Sequence, residues 1–436
     1  MLGWLVPRDP RRLALLFLGA LALCLAGGGA MALLMRVELL GPAPELLAAE
    51  AYGQVLTLHG ALVLVVVLPL IPATLGNFAV PLQTGGRGAA WPWLGVAGFY
   101  GFVAAAWLVV EGVRAPATTA MGGLPWKYAL GIAGLALSAG LTALGQLGTI
   151  RRGRRDGAPL SLFVWASLVG AVATLVAVGL LCGVVAPLAV REPFMAALLT
   201  PTITATIVGL ALVPALGVVC EVLGEHARGV PLRGTVLAAL MVLAAAALPL
   251  AAIDAEAERI GDHVGRAAVL LLLGAWSLPL IRGGGRGTTP LLYTAGAIVA
   301  LVLAGLTGAL MSRVSAVALS DTYFEVGHLH LRVQVVVLAW LAGLHHWWSR
   351  LTGCTYNENA GRVGAALVVG GTLTHAIAAL LLGSAGMPRR YWTYLPEFAA
   401  LHGVASVGAF VSGVGLVWVA CSLGVAWGRR APRVDE

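Results

Sequence analysis

His328 and His330 stand two residues apart in the run DTYFEVGHLH, residues 321–330, which continues as apolar sequence through Trp340. A histidine well inside a membrane span is costly and usually marks a site. On a helix, positions two apart point about 200° from each other. One helix would therefore present an imidazole on each of two opposite faces. Haem iron takes axial imidazole, and a planar macrocycle fits between helices. Two core histidines hydrogen-bonded to their neighbours are the competing reading.

The chain around that run is apolar almost throughout. Of its 436 residues 59% are hydrophobic and only 11% charged, which excludes an ordinary soluble protein. The net charge of +8 rests on arginine, because Lys127 is the only lysine. Nucleic-acid binding is excluded because the arginines sit in short loops between spans and form no patch. Cys24, Cys182, Cys220, Cys354 and Cys421 lie far apart with no metal-ligand spacing, and read as small apolar fillers.

Runs of about 20 apolar residues recur to the end, so the N-terminus does not read as a cleavable signal. Hydropathy predicts an all-α integral membrane protein, a single membrane domain over 1–436 with about twelve spans. They fall near 13–35, 52–82, 91–112, 128–150, 160–188, 196–223, 232–253, 264–282, 288–312, 321–348, 361–384 and 397–427. With both termini cytoplasmic, seventeen basic residues fall in inner loops and tails and nine, Arg36 among them, in outer loops. The positive-inside rule favours that orientation, in the inner (cytoplasmic) membrane. The segment Asp254–Arg266 is the most charged outer loop, and reads as a solvated connection.

Four segments carry a resemblance. DTYFEVGHLHLRVQ, preceded by GLTGALMSRVSAVALS, resembles the tenth-helix region of subunit I of the haem-copper oxidases. LAGLHHWWSRLTGCTYNEN and SAGMPRRYWTYLPEF continue it, and YGQVLTLHGALVLVVVLPLIPATLGNFAVPL resembles that family's second helix. With the span layout, the similarity covers nearly the whole chain. It implies that His59 and His330 are the two axial ligands of a low-spin haem. It implies that His328 is the proximal ligand of a second, high-spin haem, and that Arg389 and Arg390 sit beside the haem propionates. Guanidinium groups suit that place, since they bind carboxylates bidentately and stay charged.

The same resemblance exposes departures. The family holds copper beside the second haem with three histidines. The first falls on Ala205, fixed by Glu192-Pro193 thirteen residues before and Pro214 nine residues after. The family's glutamate and copper-linked tyrosine fall on Ile207 and Gly209, and its histidine pair near Ala246 and Ala247. The acidic residue after the second span falls at Gly88, and Val269–Leu280 lacks the lysine of the eighth. Ser320 replaces a metal-binding histidine, while Asp321 is kept. His345-His346 lies roughly 22 Å along the helix from His330, too far to substitute for the copper pair.

Other polar residues have weaker cases. Arg332 and Glu325 share the helical face of His328, and Arg332 is expected to meet a carboxylate or a haem edge. His375 reads as a hydrogen-bonded core residue and His402 as a replacement for a family asparagine. His226 and His263 read as loop residues.

These features imply a haem-binding subunit of a respiratory complex. It carries electrons through a bis-His haem and a second haem without the copper that oxygen reduction requires. Its partners would be other membrane subunits, a cytochrome or quinol electron donor and the lipid bilayer. An active terminal oxidase or nitric oxide reductase with a rebuilt metal site would need new ligands on the sixth and seventh spans. The sequence offers only Cys220 and Glu221 there, at the wrong depth. A haem-based sensor or structural scaffold is the third reading.

Overall fold

A computed structural model of the chain describes residues 2–43, 46–85, 88–114, 126–155, 157, 160–185, 193–226, 233–246, 264–276, 287–313, 319 and 321–429. Twelve helices of more than ten residues follow one another among them. They are α1 (Pro10–Glu38), α2 (Ala49–Gln83), α3 (Pro92–Arg114), α4 (Trp126–Arg155), α5 (Leu162–Leu180) and α6 (Pro193–His226). Then come α7 (Arg233–Ala246), α8 (Val264–Trp276), α9 (Thr289–Arg313), α10 (Tyr323–Thr352), α11 (Glu358–Ser384) and α12 (Ala399–Gly428). The only extended pairing among the described residues is an antiparallel bridge between Thr322 and Pro388. Helices are the expected solution, since a chain in lipid must satisfy its backbone groups internally.

Ten of the twelve are long and apolar enough to cross a bilayer. The other two are α7 and α8. The 14 residues of α7 rise about 21 Å, short of the roughly 30 Å hydrocarbon core. The expected spans 232–253 and 264–282 both run on into residues outside those described.

The chain divides into two compact units. Unit one comprises Met1–Ala26, Gly60–Gly224 and Gly229–Ile281, and unit two Gly27–His59, Glu225–Arg228 and Arg282–Glu436.

In unit one α3 packs closely on α4. Ser138 donates to the carbonyl of Gly98 at 2.6 Å, and a Cβ at Gly98 would lie 2.7 Å from Thr142 Oγ1. Residues Ala61–Val67 of α2 form a π-helical stretch. Pro69 and Pro72 lie just beyond it and lack the N–H groups that the carbonyls of Val65 and Leu68 would receive in an α-helix. A cavity of about 160 Å³ between α2, α4, α5 and α6 is lined mostly by apolar side chains.

Unit two is built on α9 to α12. The first turn of α10 is capped by Thr322, whose Oγ1 accepts from Phe324 N at 3.2 Å. Its last turn ends on Gly353 in the left-handed region, φ 75°, where a side chain would be strained. Asn357 caps α11 through Ala360 N at 3.1 Å. Helices α11 and α12 approach at small residues, and a Cβ on Gly408 would lie 2.5 Å from the backbone N of His375. Close approach through glycine suits lipid, where packing rather than water expulsion drives association.

At the Thr322 end, Met35, Tyr52, Tyr323, Leu382, Tyr394 and Phe398 belong to one buried cluster. Two loops are joined beside it, by Tyr323 N to Met387 O at 2.9 Å and Arg389 N to Asp321 O at 2.9 Å. Each loop carries one strained residue, Asp321 at φ 59° and Arg390 at φ 72°.

Candidate functional site

Eight of the nine histidines fall in unit two, and the ninth, His263, lies outside the described residues. Their ring nitrogens and their places in the fold separate them into two groups.

In the first group Nδ1 meets an oxygen that can only accept. His59 Nδ1 lies 2.9 Å from Gly28 O, His330 Nδ1 2.7 Å from Val326 O and His375 Nδ1 2.9 Å from Ala405 O. A carbonyl has no proton to give, so Nδ1 is the protonated nitrogen and Nε2 bears the lone pair. His328 reaches the same state through a hydroxyl. Its Nδ1 lies 2.9 Å from Thr307 Oγ1, while Thr307 directs its own proton to Leu303 O at 2.8 Å. None of the hydrogen bonds among the described residues engages Nε2 of these four. A neutral imidazole with Nδ1 anchored and Nε2 free is the form that ligates a metal. The donor set therefore fits axial ligation of haem iron.

The structure brings His59 and His330 together. Each lies within electrostatic reach of the other and of Arg36. His328 and His330 face different neighbours, His328 against Thr307 of α9 and His330 against His375 of α11. Arg332 lies within electrostatic reach of His328.

Sequence reasoning misplaced one member of this region and gave two others only weak cases, although His375 is hydrogen-bonded in the core as expected. Arg36 was counted with the outer loops, yet it lies in the last turn of α1 and is buried. Its Nη2 donates to Tyr323 OH at 3.1 Å, while Nη1 has no partner. His375 is the second, its ring centroid 5.0 Å from that of His330. His402 is the third, stacked on Tyr394 at 4.1 Å and edge-on to Tyr323 at 5.3 Å, with neither ring nitrogen partnered. A buried arginine one residue beyond a predicted span end, with its aromatic partner far along the chain, carries no local sequence signal.

Arg389 is held at the Thr322 end by two carboxylates. Nε and Nη2 donate to Asp321 Oδ1 at 3.0 and 2.6 Å, and Nη1 pairs with Glu325 Oε1 at 2.9 Å. Arg390 is exposed. Glu325 thus has Arg389 as its partner, which the helical-face argument alone could not name.

The remaining histidines lie elsewhere, and His345 among them shares the anchored pattern, its Nδ1 2.8 Å from Leu341 O and its Nε2 without a partner. His346 Nε2 lies 3.3 Å from Glu225 Oε2, and its Nδ1 lies 3.3 Å from His226 Nε2. Thr288 Oγ1 completes the series at 3.1 Å from His226 Nδ1. His226 is thus the last residue of α6 with a defined partner, where a free loop residue was expected. His345 packs between Tyr293 and Tyr356.

Of the positions that the resemblance assigns to copper, Ala205 is exposed on α6 and Ala246 ends α7. Ala247 lies outside the described residues, as do the alignment anchor Glu192 and Ser320, which replaces a histidine of a different, non-redox metal site. Among the described residues no three of His, Cys, Asp and Glu group as a metal site.

Long apolar helices that carry imidazoles with anchored Nδ1 atoms define a class, the multi-span membrane proteins with candidate cofactor sites. The chain belongs to the family described as cytochrome c and quinol oxidase polypeptide I, whose sequence profile matches residues 12–254 and 264–411. It is 26% identical over 457 residues to the probable cytochrome c oxidase subunit 1-beta of Nocardia farcinica, covering 94% of this chain and 77% of that protein. It is 28% identical over 461 residues to cytochrome c oxidase subunit 1 of Bacillus subtilis, covering 93% and 73%. The fold is similar to that of a haem-copper terminal oxidase dimer seen by cryo-EM, with a TM-score of 0.82 at 16% identity over 98% of this chain and 85% of that one. The family binds haem and works within multi-subunit membrane complexes.

Proposed function

We propose that this subunit holds a low-spin haem between His59 and His330 and a second haem on His328. Its function is electron transfer within a respiratory complex, without a copper site or oxygen reduction of its own. The observation that carries the reading is the set of three imidazoles with Nδ1 engaged and Nε2 free. Haem supplies a reversible one-electron couple at iron.

The chain's own residues would orient and shield that couple. Gly28 O and Val326 O fix the ring planes of His59 and His330 and raise the basicity of their Nε2 atoms. Arg36 offers an unpartnered Nη1 donor to a carbonyl or carboxylate on a cofactor edge. Arg389 and Arg390 are assigned to the propionates, with Asp321 and Glu325 holding Arg389 ready.

The sixth and seventh helices support no oxygen chemistry on this reading. Copper needs converging imidazoles, and Ala205 and Ala246 offer methyl groups. Once copper is lost, polar groups that served it only cost desolvation energy. That accounts for Ile207, Gly209 and Gly88 at positions where the family is polar.

The whole chain, 1–436, acts as one domain in the cytoplasmic membrane with both termini inside. Membrane partner subunits and a cytochrome or quinol donor complete the complex. A pyridine haemochrome spectrum with metal analysis of the purified protein tests the reading. Two haems and no stoichiometric copper are expected, and haem-free protein would overturn it.

A further inference from the structure

We propose that His375 is a third imidazole of the low-spin haem site, able to take the coordination position of His330. The proposal rests on the reading that His59 and His330 hold a haem. His375 lies on α11, inside the run VVGGTLTHAIAALLLG, where a histidine without a task would only destabilise the span.

The geometry gives His375 the same chemistry as the ligand beside it. Ring centroids of His330 and His375 are 5.0 Å apart at an interplanar angle of 61°. His375 Nδ1 is tied to Ala405 O at 2.9 Å, as His330 Nδ1 is tied to Val326 O at 2.7 Å. Both rings therefore present Nε2 as the nitrogen with the lone pair. Both lie within electrostatic reach of His59, so the three imidazoles share one region of unit two.

His375 closes only one of its two ring nitrogens. Its Nε2 makes no hydrogen bond among the described residues, and the ring is only half-buried although it lies deep among protein atoms. The ring is also held deliberately. The Gly408 approach brings α12 against the backbone of His375, which puts the Ala405 carbonyl within reach of Nδ1. The bond that forms is Nε2 of His375 to iron, and the bond that breaks is Nε2 of His330 to iron. No proton or electron moves, since both rings stay neutral with Nδ1 protonated.

The test compares His330→Ala, His375→Ala and the double variant by optical and electron paramagnetic resonance spectra, with haem counted per protein. In His330→Ala the low-spin haem is expected to persist with shifted g-values, and the double variant is expected to lose it. A folded His330→Ala protein with no low-spin signal overturns the proposal. Should His330→Ala not fold, His375→Ala alone decides through carbon monoxide. Iron released by His330 is then no longer recaptured, so the reduced low-spin haem is expected to bind carbon monoxide at least severalfold more than in the parent. Unchanged carbon monoxide binding overturns the proposal. His59→Ala separates the two levels of the argument, because a low-spin spectrum surviving there refutes the haem reading itself.

Discussion

Thr307 accepts from His328: its Oγ1 lies 2.9 Å from Nδ1 while its hydroxyl proton points to Leu303 O. The contact fixes the tautomer and leaves Nε2 to a metal. It also leans electron density toward Nε2, because an imidazole that donates a hydrogen bond becomes the stronger ligand. Thr307→Val keeps the shape and removes the acceptor. The expected result is a lower iron–histidine stretching frequency in the resonance Raman spectrum of the reduced protein. The low-spin haem should be unaffected, and an unchanged frequency would show that His328 is not an iron ligand.

His59→Ala and His328→Ala should separate two haems. The first is expected to abolish the low-spin spectrum, and the second to leave it while removing the carbon monoxide-binding component. A loss of both signals in either variant, in folded protein, would mean that the assignments are wrong. Haem content per chain, measured alongside the spectra, checks the count.

The legible part of this site was the part with a local cost. His328 and His330 stand in an apolar run, so hydropathy exposes them, while His59 was legible only through the resemblance of the segment around it. The long helices were legible through hydropathy as well, and ten of the twelve expected spans have helices of sufficient length and apolarity. The π-helical stretch Ala61–Val67, which ends just before Pro69, was not anticipated. Long-range pairings left no local trace. Arg36 meets Tyr323 across 287 positions, and His226 meets His346 across 120. Hydropathy placed Arg36 in a loop because it cannot tell a guanidinium turned inward from one in solvent.

The crossing of α11 and α12 yields a stability prediction. A side chain at Gly408 would meet the His375 backbone, its Cβ 2.5 Å from N. Backbone cannot yield as a flexible side chain can, so the helices must part. Overpacking of this kind costs roughly 1–3 kcal/mol. Gly408→Val should lower the unfolding temperature in detergent and loosen the Ala405–His375 bond. Gly403→Ala, on the same helix with nothing within 4 Å of the added Cβ, is the matched control and should be neutral.

The final prediction concerns copper. A copper ion needs several imidazoles converging at about 2 Å, a distance borrowed from other metal–imidazole bonds. The described histidines are accounted for one by one. His59, His328 and His330 are the proposed haem ligands, and His375 stands edge-on to His330. His402 is enclosed by Tyr394 and Tyr323, and His345 by Tyr293 and Tyr356. His346 is bound to Glu225 and His226, which removes both members of that pair. On α6, the helix that resembles the family's first copper-binding segment, His226 is the only histidine and it is the terminal residue. Elemental analysis of the purified subunit is therefore expected to show iron without stoichiometric copper, and oxygen consumption should not exceed that of a haem-free control. Copper at one per chain, or oxygen consumption abolished by His328→Ala, would refute the claim.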